Sequence, residues 1–173
     1  MKLKGSTIAI AICLFLATSA CSKQAQPTYK DSAKTALEQA DLKDVSVSED
    51  ADKNTITLGG TLHSEDAKQQ AADVAKANAG TRVVVNEVSV QPVGHESEAK
   101  SVASNLDDGI EKNYKAALIA KGLNKQSIRF DAKNGVLTLK GHVQATSQRK
   151  EAELLARSVP NVQQVLNELD VNR

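Results

Sequence analysis

The sequence has no tryptophan, one methionine, two phenylalanines and two tyrosines among 173 residues. Aromatic rings supply the platforms on which unpaired bases stack, and methionines supply the pliable surface of promiscuous grooves. A stacked-base reader and a Met-rich groove are both excluded. Neither sign of charge dominates, because 22 Lys and Arg face 21 Asp and Glu. Such a surface has no broad positive field to meet phosphates, so nucleic acid is not an expected partner. Long apolar runs are missing too, apart from Ile8 to Ala17. A permanent spanning helix needs about 20 apolar residues, and this run is too short for one. With Met1-Lys2-Leu3-Lys4 before it and Thr18-Ser19-Ala20-Cys21 after it, the run has the layout of a removable export signal, assigned to residues 1–20.

Cysteine is confined to the same region. Cys13 falls inside the signal and Cys21 follows it, so the folded part has no thiol for a disulfide or a Cys-based metal cluster. Ser19-Ala20-Cys21 resembles the lipobox of bacterial lipoproteins, with Thr18 where that pattern prefers Leu. The resemblance implies a diacylglyceryl group on the Cys21 sulfur, cleavage after Ala20 and acylation of the new amine. More than one acyl chain anchors stably, where a single chain holds only marginally. Ser22 resembles the residue found after the lipidated Cys in outer-membrane lipoproteins. Without Lys2 and Lys4 the balance is 20 basic to 21 acidic side chains. Polar Ser22 to Thr28, with Pro27, reads as a short flexible tether, and residues 21–29 are assigned as the lipidated N-terminus and tether.

The remainder repeats itself at an offset of 81 residues. Ile56-Thr57-Leu58-Gly59-Gly60-Thr61-Leu62 aligns with Leu137-Thr138-Leu139-Lys140-Gly141-His142-Val143. Both alternate with period two, as a strand with one buried face does, and Gly60 and Gly141 mark a bulge, a bend or a close backbone approach. Turn signals precede both, Asp52-Lys53-Asn54 and the stronger Asn134-Gly135, and the apolar residues before them, Val45, Val47, Ile128 and Phe130, make each copy start with a hairpin. Helical periodicity follows, with Ala71, Val74 and Ala75 matched by Ala152, Leu155 and Ala156, and Val159 extending the second stripe. A third strand closes each copy, over residues 82–90 and 163–171, carrying the shared pairs Asn86-Glu87 and Asn167-Glu168. Helical stretches over residues 32–40 and 103–121 precede the hairpins. The expected fold class is α+β, two tandem α-β-β-α-β units, each a small three-stranded mixed sheet packed by helices. Residues 30–90 form the first, 103–173 the second, and 91–102 a linker or helix extension.

The run from Asn134 to Val143, followed by Ala152, Ala156, Val159-Pro160-Asn161-Val162 and Asn167-Glu168-Leu169, resembles a BON domain, and the first copy resembles it less closely. Together with Cys21 the pair is similar to the dual BON-domain outer-membrane lipoproteins of Gram-negative bacteria. The resemblance implies a non-enzymatic module that contacts phospholipid, including anionic lipid, with the second unit and its longer helix responsible. Placed on residues 149–157, that implication makes Arg149, Lys150 and Arg157 the candidate headgroup contacts. Cations can meet phosphate while their stems cover apolar surface, although Glu151 and Glu153 offset the attraction. The expected location is the outer membrane, lipid-anchored and facing the periplasm, with an envelope protein as a further candidate partner. A protein adaptor and a soluble periplasmic osmotic-stress protein with chaperone-like support are the alternatives.

Reactive chemistry is scarce. His63, His95 and His142 occupy non-equivalent repeat positions, so no duplicated His site exists, and no paired-His motif or phosphate-binding Gly loop is present. Asp107-Asp108 and Ser64-Glu65-Asp66 read as capping and solubility groups. No catalytic residue, cofactor or metal is expected.

Overall fold

The computed structural model describes residues 28–172; Cys21, the export signal and all but the end of the tether lie outside them. The first unit comprises α1 (Tyr29–Gln39), β1 (Val45–Asp50), β2 (Thr55–Leu62), α2 (Glu65–Asn78), β3 (Val83–Asn86) and β4 (Ser89–Val90). The second comprises α3 (Glu96–Ala120), β5 (Ser127–Lys133), β6 (Val136–Val143), α4 (Thr146–Ser158) and β7 (Gln164–Val171). In each unit the central strand pairs antiparallel with the strand before it and parallel with the strand after it. A parallel return needs a crossover, and α2 and α4 supply it. β3 and β4 are one strand interrupted at Glu87 and Val88, whereas β7 runs unbroken.

Each core lies between a sheet face and its two helices. Leu37, Ile56, Leu58, Ala71 and Ala75 are buried in the first, and Leu118, Leu137, Leu139, Ala152 and Ala156 in the second. A fully buried Leu or Ile contributes about 1.5–3 kcal/mol. The alanines let the crossover helices lie close on their sheets. The copies diverge where Tyr114 takes the place of Ala33: its ring meets Phe130 edge-on at 5.0 Å, and its hydroxyl donates to the Ala152 carbonyl at 3.2 Å. Burial holds that phenol above its ordinary pKa.

Duplication reaches the backbone. Asp41 and Gly122, Asn54 and Gly135, Gly60 and Gly141, and Gly80 and Asn161 all have positive φ, and each pair is 81 residues apart. The constant offset nevertheless hides two compensating changes. Val45 lies opposite Gly60, whereas Ile128 lies opposite Gly141, two residues away from the alignment that pairs Val47 with Ile128. A 3-10 turn, Leu123–Lys125, lengthens the approach to β5, and the hairpin loop shrinks from Ala51–Asn54 to Asn134–Gly135. Positive φ at both Asn134 and Gly135 suits the tight hairpin.

The two units meet along their inner edges. The Gln164 amide donates from Nε2 to the Val84 carbonyl at 2.8 Å and accepts the Asn86 N–H at 3.3 Å, so a side chain joins β7 to the edge of β3. Lys133 in the second hairpin pairs with Glu87 of the first unit at 2.8 Å, and Lys53 in the first hairpin pairs with Glu168 of the second at 2.9 Å. Glu87 and Glu168 are repeat equivalents, so the exchange is reciprocal, as across a two-fold axis. Asn134 adds a bond to the Glu87 carbonyl at 2.8 Å. The linker is short: α3 starts at Glu96, so the helix-extension alternative describes most of residues 91–102.

Candidate functional site

The outward faces of α3 and α4 carry the candidate contacts. α4 starts where the Gln148 side chain turns back to accept the backbone N–H groups of Gln144 and Ala145, at 2.9 and 3.2 Å. In α2 the bond runs the other way, with the cap residue Ser64 accepting the Ala67 N–H through its hydroxyl. With Ala152 and Ala156 inward, Lys150, Leu154 and Arg157 point out, and Leu154 is 67% exposed. Leu154 lies four residues from Lys150 and three from Arg157, which places all three on one helix face.

The three cations named from the sequence have different surroundings. Arg157 donates to Glu153 from both Nε and Nη2, at 3.1 and 2.8 Å, so its charge is paired on its own helix. Arg149 reaches back to the Asn167 carbonyl at 3.3 Å. Lys150 is exposed and makes no ion pair among the described residues. The Glu153 carboxyl is held below its ordinary value, first by the Asn167 amide at 3.0 Å and then by Arg157.

The helix bearing these residues is the shorter of the second unit's two. α3, with 25 residues, is the longer, so the longer-helix implication falls on α3 rather than on residues 149–157. Its C-terminal half presents Ile119, 54% exposed, with Lys112 and Lys115 on the preceding turns. From residue 112 to 130 the chain has Lys112, Lys115, Lys121, Lys125 and Arg129 and no carboxylate. Among the described residues none of these five makes an ion pair. The balanced total charge conceals this basic stretch.

A BON-domain model matches the chain twice, at residues 28–92 and 106–173. The chain belongs to the BON-domain family. Osmotically-inducible protein Y of Escherichia coli (strain K12) is 29% identical over 134 residues, covering 77% of this chain and 65% of that protein. The chain thus spans slightly less than two thirds of that relative. Two solved structures of CdsD, a structural protein of the type III secretion system of Chlamydia trachomatis, cover 80% and 84% of this chain and 62% of theirs. Their identities are 12% and 14% and their TM-scores 0.35 and 0.33, too loose a likeness to carry any argument.

Within the BON units the repeated Asn has a structural task that spacing alone does not reveal. Asn86 donates to the Lys68 carbonyl of α2 at 2.9 Å and accepts from Val88 N–H at 3.3 Å. Asn167 repeats both bonds, to the Arg149 carbonyl at 3.3 Å and from Leu169 N–H at 3.2 Å. The Asn ties the return strand to the crossover helix, while the Glu after it ties one unit to the other. Asp107, read as a capping or solubility group, instead grips the second hairpin, accepting the N–H groups of Asn134 and Gly135 at 2.8 and 3.0 Å. No helix among the described residues is long and apolar enough to cross a membrane, and none of their His, Cys, Asp and Glu side chains form a group of three suited to a metal.

Proposed function

We propose that this BON-domain protein is a non-enzymatic, lipid-anchored envelope protein that lays the basic end of its second unit on anionic phospholipid. The observation carrying the reading is the juxtaposition of exposed apolar side chains with cations. Ile119 stands beside Lys112 and Lys115, and Leu154 beside Lys150. An apolar side chain entering the headgroup layer gains by leaving water, and each nearby cation adds about 1 kcal/mol on an anionic surface. Cys21 bears the anchor in this reading, and the anchor holds weak contacts at high local concentration. Residues lining the membrane face need only position the protein, which suits support of outer-membrane integrity under stress.

Flotation of the unlipidated protein with phosphatidylcholine vesicles, with and without phosphatidylglycerol, tests the contact. Binding is expected only with phosphatidylglycerol and is expected to fall severalfold in Ile119→Asp and in Lys112→Glu/Lys115→Glu. Equal binding by these variants would remove α3 from the reading. Intact mass and membrane fractionation beside Cys21→Ser test the anchor. The likeness to osmotically-inducible protein Y favours a second reading, a soluble periplasmic protein of the osmotic response; native protein in the soluble fraction with an unmodified Cys21 decides for it.

A further inference from the structure

The N-terminal half of α3 differs from the rest of the second unit. It has no counterpart in α1, and residues 93–105 fall between the two family matches. There α3 crosses the end of the first unit and leaves a groove of about 660 Å³, whose apolar lining includes Val90, Pro92, Ala99, Val102, Leu106 and Val162. Val102 and Leu106 are 57% and 44% exposed, four residues apart on one face of the helix. From Ala99 to Ile110 the helix runs about 16 Å, three turns, long enough to seat a short amphipathic segment.

Charge selects the occupant. The groove is lined by Glu65, Glu98 and Asp107, with Lys68 and His95 as the other titratable groups. Lys68 is 7% exposed and donates to the Asn134 carbonyl at 3.2 Å and to Gln163 Oε1 at 3.3 Å, and its one positive charge stands against the three carboxylates. Beside Asp107, Asp108 and Glu111 continue the acidic character along α3, with Lys100 as the one cation among them. The field over the groove is therefore negative, the opposite of the stretch from 112 to 130. An anionic membrane is repelled from this end, whereas an apolar segment flanked by Lys or Arg is attracted on both counts.

We propose that this groove docks a basic amphipathic segment of a protein partner, with Val102 and Leu106 as the apolar contacts and Glu98 and Glu65 as the charged rim. Ile119 lies roughly 100° around α3 from Val102 and about 140° from Leu106, at about 100° per residue, so a second copy could meet the groove only head to tail, an open-ended contact, and the occupant is a different protein. Protein docking at one end and lipid contact at the other leave both surfaces usable at once, and neither assignment depends on the other.

The test uses the whole unlipidated chain and a fluorescein-labelled helical peptide of Leu and Lys in amphipathic spacing, with the same peptide carrying Glu for every Lys as control. Saturable binding of the Lys peptide alone is expected, weakened at least tenfold by Leu106→Asp and by Val102→Asp, and little changed by Ile119→Asp. Both Asp variants sit at exposed positions, and their urea unfolding checks that the fold survives. Amide shifts on adding peptide should centre on residues 99–106, Val90 and Val162. Equal binding of the Glu peptide, shifts centred on α4 or on residues 112–125, or unaltered binding by Leu106→Asp would overturn the proposal. Loss of a concentration-dependent dimer in Leu106→Asp, seen by sedimentation, would overturn it in favour of self-association. Loss of vesicle flotation in Leu106→Asp would overturn it in favour of lipid.

Discussion

Two glycines of the second unit, Gly122 and Gly141, both have positive φ and should respond very differently to the same substitution. Gly122 sits at φ 69° with nothing within 4 Å of an added methyl. Alanine there meets only the left-handed backbone penalty, about 1 kcal/mol, part of which is offset by a less flexible unfolded chain. Gly141 sits at φ 113°, and an added Cβ would stand 1.9 Å from the Ser127 carbonyl oxygen and 3.1 Å from its carbon. That φ alone costs about 1–3 kcal/mol. Relief of the clash then has to push β5 from β6 where Ser127 faces His142 and Ile128 faces Gly141. Losing one or two backbone hydrogen bonds there adds roughly 1 kcal/mol each, for a total of about 2–5 kcal/mol. Urea unfolding of the full chain reads the difference. With no tryptophan present, a Tyr29→Phe background leaves Tyr114, in the second core, as the fluorescent reporter. At an m-value of about 2 kcal/mol/M, Gly141→Ala should lower the midpoint by about 2 M and Gly122→Ala by about 0.5 M or less. Equal shifts, or the larger one in Gly122→Ala, would refute the account of β6 as a strand whose glycine admits a neighbouring carbonyl.

Glu153 gives both a pH and a lipid prediction. Its folded-state carboxyl lies below the ordinary 4.5, so its contribution is complete above that value and is lost as the pH falls through the depressed folded value. Glu153→Gln should flatten that part of the acid profile, measured as urea midpoint against pH, and by freeing Arg157 it should strengthen flotation with phosphatidylglycerol vesicles about fivefold. Asn167→Ala removes bonds to α4 and to Leu169 N–H and should cost about 2 kcal/mol in urea unfolding, with the same substitution at Asn86 costing a similar amount from the first unit.

Strand order, crossover helices and duplication were legible because period two and period 3.6 recur in one register from Leu58 to Leu139 and from Ala71 to Ala152. Of the bulge, bend or close approach expected at Gly60 and Gly141, the backbone carbonyls of Asp44 and Ser127 supply the close approach. The register of the second hairpin was not legible, since an added turn at Leu123–Lys125 and a shortened loop at Asn134–Gly135 cancel in the numbering. Nor was the joint. Glu87 and Glu168 look like solvent-facing positions on alternating strands, and only the meeting of the two sheets gives them Lys133 and Lys53. For the candidate contacts, helical spacing placed Arg149, Lys150 and Arg157 on one helix. It could not show that Glu153 holds Arg157, whereas the longer helix with Lys112 and Lys115 was already legible over residues 103–121.

The reciprocal Glu–Lys exchange makes the molecule resemble a homodimer whose halves share one chain. In a true homodimer every substitution appears twice, so a change that improves one surface must be tolerated at its mirror image. Here Tyr114 answers Ala33, Gln164 answers Val83, and α3 grew an extension that α1 lacks, while the Asn that fixes each return strand and the Glu that joins the halves stayed alike. One half can thus serve as scaffold while the other specialises, at a ratio of one to one and independent of how dilute the protein becomes.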